Sequence, residues 1–256
     1  MIDATNQRFR RLEDPAKDFP YYNGLPVSIS HRQWVLVMMT VALGFLVLAL
    51  PIPWPNSAIA LFAPAILMPG LPLAALAYVA RGHWTAIFGK VGWREVRLMI
   101  GFALLNIVVS MGVGVVVHLI TDVSSNASTA QLGNLDTAGR MAFYAKTVPQ
   151  LFGEEVITLL PFLALLTWLT RSAKWSRRAA ILGAWVITSV VFGLLHLPTY
   201  DWNVIQCVFV IGTARMMLTL PWIMTKNIWV STGAHVINDW ILFSLSLVGV
   251  ALGVKG

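Results

Sequence analysis

The sequence predicts an all-α, polytopic membrane protein with about seven transmembrane helices. Of its 256 residues, 57% are hydrophobic and only 11% charged, and the mean hydropathy is +0.73. Ordinary globular chains carry about 25% charged residues, and so few charges cannot cover a soluble surface of this size. Apolar runs long enough to cross a bilayer, which takes about 20 residues, recur along the chain. The loops between them alternate between basic and non-basic, as membrane topology requires.

Taken in order, residues 1–33 are polar and mixed in charge, with Arg8, Arg10, Arg11, Lys17 and Arg32 against Asp3, Glu13, Asp14 and Asp18. A cleavable signal would reach its apolar region sooner, so this segment reads as a cytosolic arm. The first span, 34–50, is uncharged and ends at PIPWP (51–55). The second, 58–80, contains Pro64, Pro69 and Pro72 and is expected to kink or break. The loop 81–97 carries Arg81, Lys90, Arg94 and Arg97. After the third span, 98–120, the loop TDVSSNASTAQLGNLDTAG holds Asp122 and Asp136 and no basic residue. The fourth span, 141–170, exceeds what a bilayer needs, so it tilts or protrudes. Arg171, Lys174, Arg177 and Arg178 follow, and then the spans 179–197, 204–223 and 228–253. An eighth, partial helix has room in 81–97 or 124–140, which gives seven to eight helices.

Basic loops stay cytosolic, which puts the N-terminus inside and, for seven spans, the C-terminus outside. Trp34, Trp54 and Trp229 lie near span ends and read as interface anchors. The chain divides into the arm (1–33), the N-terminal helices (34–140) and a core of the last four helices (141–253), with no internal repeat.

The net charge of +7 resides in loops, and no nucleic-acid motif accompanies it, so nucleic acid is not an expected partner. The single cysteine, Cys207, excludes an internal disulfide and a cysteine metal cluster; in its apolar run it reads as a small buried side chain.

Ionisable groups inside spans cost roughly 2.5–3.5 kcal/mol each on insertion scales and point to function. The fourth span holds Lys146, Glu154 and Glu155; the fifth ends in His196; the sixth holds Arg215; the seventh holds His235, Asn238 and Asp239. His118, ending the third, reads as interfacial. At 1.5 Å per residue Glu154 and His235 reach similar depths, roughly 20 Å from the outer face. His196 joins that level if its helix extends into the cytosol; Pro198 then stops the helix, and the PTYDW turn (198–202) must be buried in protein. His235 and Asp239 are i, i+4 and share a helix face, as do Phe192 and His196.

These are parts for hydrolysis. A carboxylate shielded from water can take a proton from a water molecule. An imidazole can share that task or protonate the leaving amine. A second imidazole beside an amide or acid can stabilise the oxyanion of a tetrahedral intermediate. Glu154, His196 and His235 are also the residue types that hold zinc with an open position for water.

Glu154 and Glu155, FGLLH (192–196) and HVIND (235–239) appear in order, each in a predicted span. With them the sequence resembles the CPBP family of intramembrane proteases, also called the Abi or CAAX-protease family, which includes the Rce1-type prenyl-protein endopeptidases. The family's motifs are EExxxR, FxxxH and HxxxN or HxxxD, and the resemblance covers roughly residues 141–243. It implies a catalytic bundle formed by the last four helices. Glu154 would activate water with His196, while His235 and Asp239, with Asn238 between them, would bind the oxyanion or order the site. The family's arginine falls at Leu159, one turn from Glu155. Arg215, in mid-span six, is the candidate to supply the missing charge.

The resemblance implies an endopeptidase acting on a peptide or membrane-protein substrate among membrane lipids. It needs no cofactor on a glutamate mechanism, with zinc as the alternative. The compact chain reads as a bacterial, multi-pass plasma-membrane protein of peptide maturation, bacteriocin processing or immunity. Two other classes stay open: a non-catalytic immunity or regulatory protein, which Leu159 favours, and a proton or small-solute transporter.

Overall fold

The computed structural model describes residues 8–55 and 57–251. Asp3, one of the arm's acids, lies outside them. The described residues form helices and turns, and no strand occurs among them. The helices are α1 (His31–Ala49), α2 (Ala58–Ala80), α3 (Trp93–His118), α4 (Ala127–Gly133), α5 (Thr137–Arg171), α6 (Arg177–Leu195), α7 (Gly212–Thr225) and α8 (Ile228–Ala251). A π-helical stretch, Gln206–Ile211, leads directly into α7. Six segments are long and apolar enough to cross a membrane: α1, α2, α3, α5, α6 and the π stretch with α7. The last predicted span is likewise one helix, α8, of 24 residues. The polar loop 121–139 contains the short α4, and 81–97 contains a 3-10 turn, Trp84–Ile87.

Of the expected kink or break, the break does not occur: α2 is one helix through Pro64, Pro69 and Pro72. It packs against α1, where a Cβ on Gly44 would lie 2.5 Å from the Met68 carbonyl oxygen. Such close backbone contact, together with protein on its other side, supports a helix that prolines deprive of hydrogen bonds.

The chain forms two compact units; one boundary, Lys90/Val91, precedes α3, and the other four fall within α5, α6, α7 and α8. The first contains residues up to Lys90, Val148–Thr188 and Trp222–Trp229. Its core joins α1, α2, α5 and α6 to the arm, from which Phe19, Tyr21, Tyr22 and Ile29 are buried. Withdrawing an aromatic or aliphatic side chain from water contributes about 1.5–3 kcal/mol, enough to dock a segment without helices of its own. Trp34 lies in this core, with its ring 6.1 Å from Tyr21, so it is not an interface anchor.

Charge completes the docking. Glu13 is buried and receives Arg177 at 2.7 Å and Lys226 at 3.0 Å, and Arg177 also reaches Asp18 at 2.7 Å. The Lys226 ammonium stands 3.8 Å from the Phe19 ring centroid. Arg171 donates to the carbonyls of Tyr22 (2.8 Å) and Tyr21 (3.2 Å). Burial raises the Glu13 pKa, but the Arg177 hydrogen bonds and the Lys226 charge outweigh it and bring the group to about 2. Burial of Lys226 outweighs the Glu13 charge and lowers that ammonium to about 8. Basic residues that mark topology in the sequence therefore also fasten the arm to the ends of α5, α6 and α7.

The second unit contains Val91–Thr147, Ser189–Pro221 and residues from Val230 onward. Here Gly193 of FGLLH lies against the π stretch; a Cβ there would collide with the Cys207 carbonyl oxygen. Cys207 is buried, as expected. Gln206 pairs through its side-chain amide with the backbone of Ser124, donating at 2.9 Å and accepting at 2.8 Å, and Asn126 donates to Tyr200 Oη at 3.0 Å. These bonds tie the 121–127 loop to the turn after α6. In PTYDW only Tyr200 is buried; Pro198, Asp201 and Trp202 are exposed. The turn satisfies its own backbone through a 3-10 segment, Leu197–Tyr200, and left-handed Asp201 and Trp202, so it needs no protein cover.

Candidate active site

Glu154 and Glu155 belong to the first unit, in the middle of α5. Seventeen residues separate Glu154 from each end of the helix, about 26 Å at 1.5 Å per residue. Glu154 is 9% exposed and Glu155 wholly buried. Their helix approaches α2 closely at Gly153, where a Cβ would lie 3.0 Å from Met68 and from Pro69. Gln150, one turn before Glu154, brings its amide to 3.5 Å from Oε1, and Thr158 donates to the Glu154 carbonyl at 2.8 Å. Leu159, at the position of the family's arginine, is wholly buried in the apolar core with Val156, Leu160 and Leu163. The site of the missing charge is thus a packing position.

The second unit gathers His196, Arg215, His235, Asn238 and Asp239. His196 follows the last residue of α6, and its Nδ1 is 2.9 Å from the Phe192 carbonyl oxygen, which leaves Nε2 for chemistry. The Phe192 ring is 4.6 Å from the His196 ring and 6.5 Å, edge to face, from that of His235. Arg215 is wholly buried, with its guanidinium carbon 5.0 Å over the same ring. One phenylalanine therefore touches both imidazoles and the cation. The His235 Nε2 is 3.7 Å from Asp239 Oδ1, as the i, i+4 spacing predicts.

Asn238, one of the three residues between them, donates to that same Oδ1 at 2.8 Å. Its own Oδ1 accepts from Asn106 Nδ2 of α3 at 2.9 Å. Asn106, and in the first unit Gln150 beside Glu154, carry no motif, and the sequence reading passes over both. Their one signal is a polar amide inside an apolar span. Lys146 is half-buried in α5 and His118 is exposed at the end of α3, in keeping with an interfacial position.

Among the described residues, no group of three or more His, Cys, Asp and Glu side chains is arranged to hold a metal ion.

Residues 140–241 match a family model described as type II CAAX prenyl endopeptidase, Rce1-like. That segment holds every ionisable residue singled out inside the apolar spans except His118. No curated protein and no solved structure matches the chain.

Proposed function

We propose, with residues 140–241 being an Rce1-like domain, that the protein is an intramembrane endopeptidase that hydrolyses a peptide bond with water activated by glutamate and histidine. The observation that carries this reading is the burial of Glu154 and Glu155 halfway along a membrane-length helix within the matched segment. Two adjacent carboxylates there are costly, and ionisable groups inside a span point to function.

In the proposed step Glu154 takes a proton from a water molecule and the hydroxide adds to the substrate carbonyl carbon. By the family resemblance His196 would share in moving that proton. The same resemblance gives His235, with Asn238 and Asp239, the binding of the charge that develops on the carbonyl oxygen. Collapse of the tetrahedral intermediate breaks the C–N bond, and the proton taken from water passes to the departing amine. The balance is one water consumed and two peptide ends formed. Neither zinc nor another cofactor enters this sequence.

The basic loops favour an N-terminus on the cytosolic side of a plasma membrane. The compact size favours a bacterial setting, where the substrate is a peptide precursor or membrane protein, as in bacteriocin processing. Burial of Leu159 in the core supports a second reading, a non-catalytic immunity or regulatory protein that keeps the domain without its arginine.

The reading is tested with purified protein in proteoliposomes, incubated in H2(18)O with membrane vesicles from cells that lack it. Peptidase action yields new C-termini carrying (18)O, and His196→Ala abolishes them. Absence of labelled termini sinks the proposal, and pH-dependent flux without proteolysis points to a transporter.

A further inference from the structure

We propose that Asn106, on α3 and outside the family-matched segment, is a positioning residue that orients the His235 imidazole through Asn238 and Asp239. Three hydrogen bonds lead to Asp239, and a charge contact leads from there to the imidazole. Ser110 Oγ donates to Asn106 Oδ1 at 3.1 Å, Asn106 Nδ2 donates to Asn238 Oδ1 at 2.9 Å, and Asn238 Nδ2 donates to Asp239 Oδ1 at 2.8 Å. That oxygen stands 3.7 Å from His235 Nε2.

Each link has a direction. An amide presents an acceptor on one side and donors on the other, so a donor at Asn238 Oδ1 turns its Nδ2 the other way, towards Asp239. Ser110 fixes Asn106 in the same manner. Asn106 and Asn238 are 1% and 4% exposed, so a wrongly turned amide would leave a buried polar atom without a partner. Asp239 is thereby held with one oxygen towards Nε2, which favours the ring proton on that nitrogen. The relay also gives Asn238 a role, although the HxxxD pattern leaves its identity open. In the α3–α8 packing of this unit, a Cβ on Gly233 would run into the Met99 side chain, so glycine there lets the two helices come close.

The consequence for catalysis rests on the endopeptidase reading, but the test does not. The full chain, labelled with (15)N-histidine, is placed in lipid nanodiscs, and the ring-nitrogen shifts of its five histidines are recorded. Loss of a signal in His235→Gln assigns His235. In the wild type the His235 proton sits on Nε2. Asn106→Leu and Asn106→Asp move the His235 shifts towards a mixture of tautomers and leave the other four histidines in place. Asn106→Asp is isosteric and keeps the acceptor that Ser110 uses, so it decides the matter if Asn106→Leu does not fold. In an Asn238→Leu background Asn106→Asp has no further effect. Unchanged His235 shifts in Asn106→Asp, or an equal added shift in the Asn238→Leu background, overturn the proposal. If the protein is a peptidase, Asn106→Asp also lowers its turnover by about ten-fold, the scale of one buried hydrogen bond, and leaves substrate affinity unchanged.

Discussion

The Arg215 guanidinium lies 5.0 Å over the ring of Phe192, the aromatic residue of FGLLH. Phe192 in turn touches His196 and His235, so a buried cation, an aromatic wall and two imidazoles form one cluster within the second unit. A desolvated cation–π contact is worth about 2 kcal/mol or more. Arg215→Leu should lower the thermal midpoint in detergent by that scale, and Arg215→Lys should lose less because it keeps a cation over the ring. Equal losses in the two variants would show that the contact with Phe192 is incidental.

Gly193 makes a second test of the same cluster. A methyl group there collides with the carbonyl oxygen of Cys207, which is backbone and cannot turn aside. Gly193→Ala should cost about 1–3 kcal/mol. Gly112 in α3 has open space around its Cβ position, so Gly112→Ala should be neutral or stabilising by about 0.5–1 kcal/mol. Thermal midpoints of the two variants side by side check the contrast.

The buried Glu13 cluster predicts a dependence on pH. The Glu13 pKa falls from 4.5 to about 2 on folding, so its contribution is fully present above about pH 4.5 and is lost as the pH drops towards 2. Lys226 falls from 10.5 to about 8, so the folded state sheds its proton first, and stability gains from this group as the pH rises through that interval. Glu13→Gln leaves Arg177 and Lys226 buried without their shared anion and should cost about 3–5 kcal/mol at neutral pH. It should also flatten the acid limb of the unfolding curve. An unchanged acid limb would assign acid sensitivity to other carboxylates.

Position 159 carries a prediction about the motif itself. Leu159 lies in the apolar core of the first unit, so Leu159→Arg places a charge among Val156, Leu160 and Leu163. Its thermal midpoint should fall despite the match to the family pattern. A rise would show that this core accepts the arginine and that its absence is not a packing matter.

The helical membrane architecture is legible because hydropathy over 20 residues is a strong signal and single residues scarcely alter it. Glu154, His196 and His235 stand out for the same reason, as ionisable groups in apolar surroundings. Asn106 does not stand out: an uncharged amide costs too little to mark itself, and its partner Asn238 is 132 positions away. The docking of the arm is hidden in another way. Its charges read as a cytosolic arm, and nothing in the pattern shows that Glu13 and Asp18 turn inward to Arg177 while Phe19 and Tyr21 enter the core. Pro64, Pro69 and Pro72 read as a kink or break in α2, and the helix stays unbroken where α1 packs closely on it.

The central claim, that Glu154 activates water for peptide-bond hydrolysis, is tested most directly by comparing membrane proteomes of cells that express wild-type and Glu154→Gln protein at equal levels. Glutamine keeps the shape of the side chain and removes the base. The account predicts at least one cleavage product that is present with the wild type and absent with Glu154→Gln. The same products at the same abundance in both would contradict it.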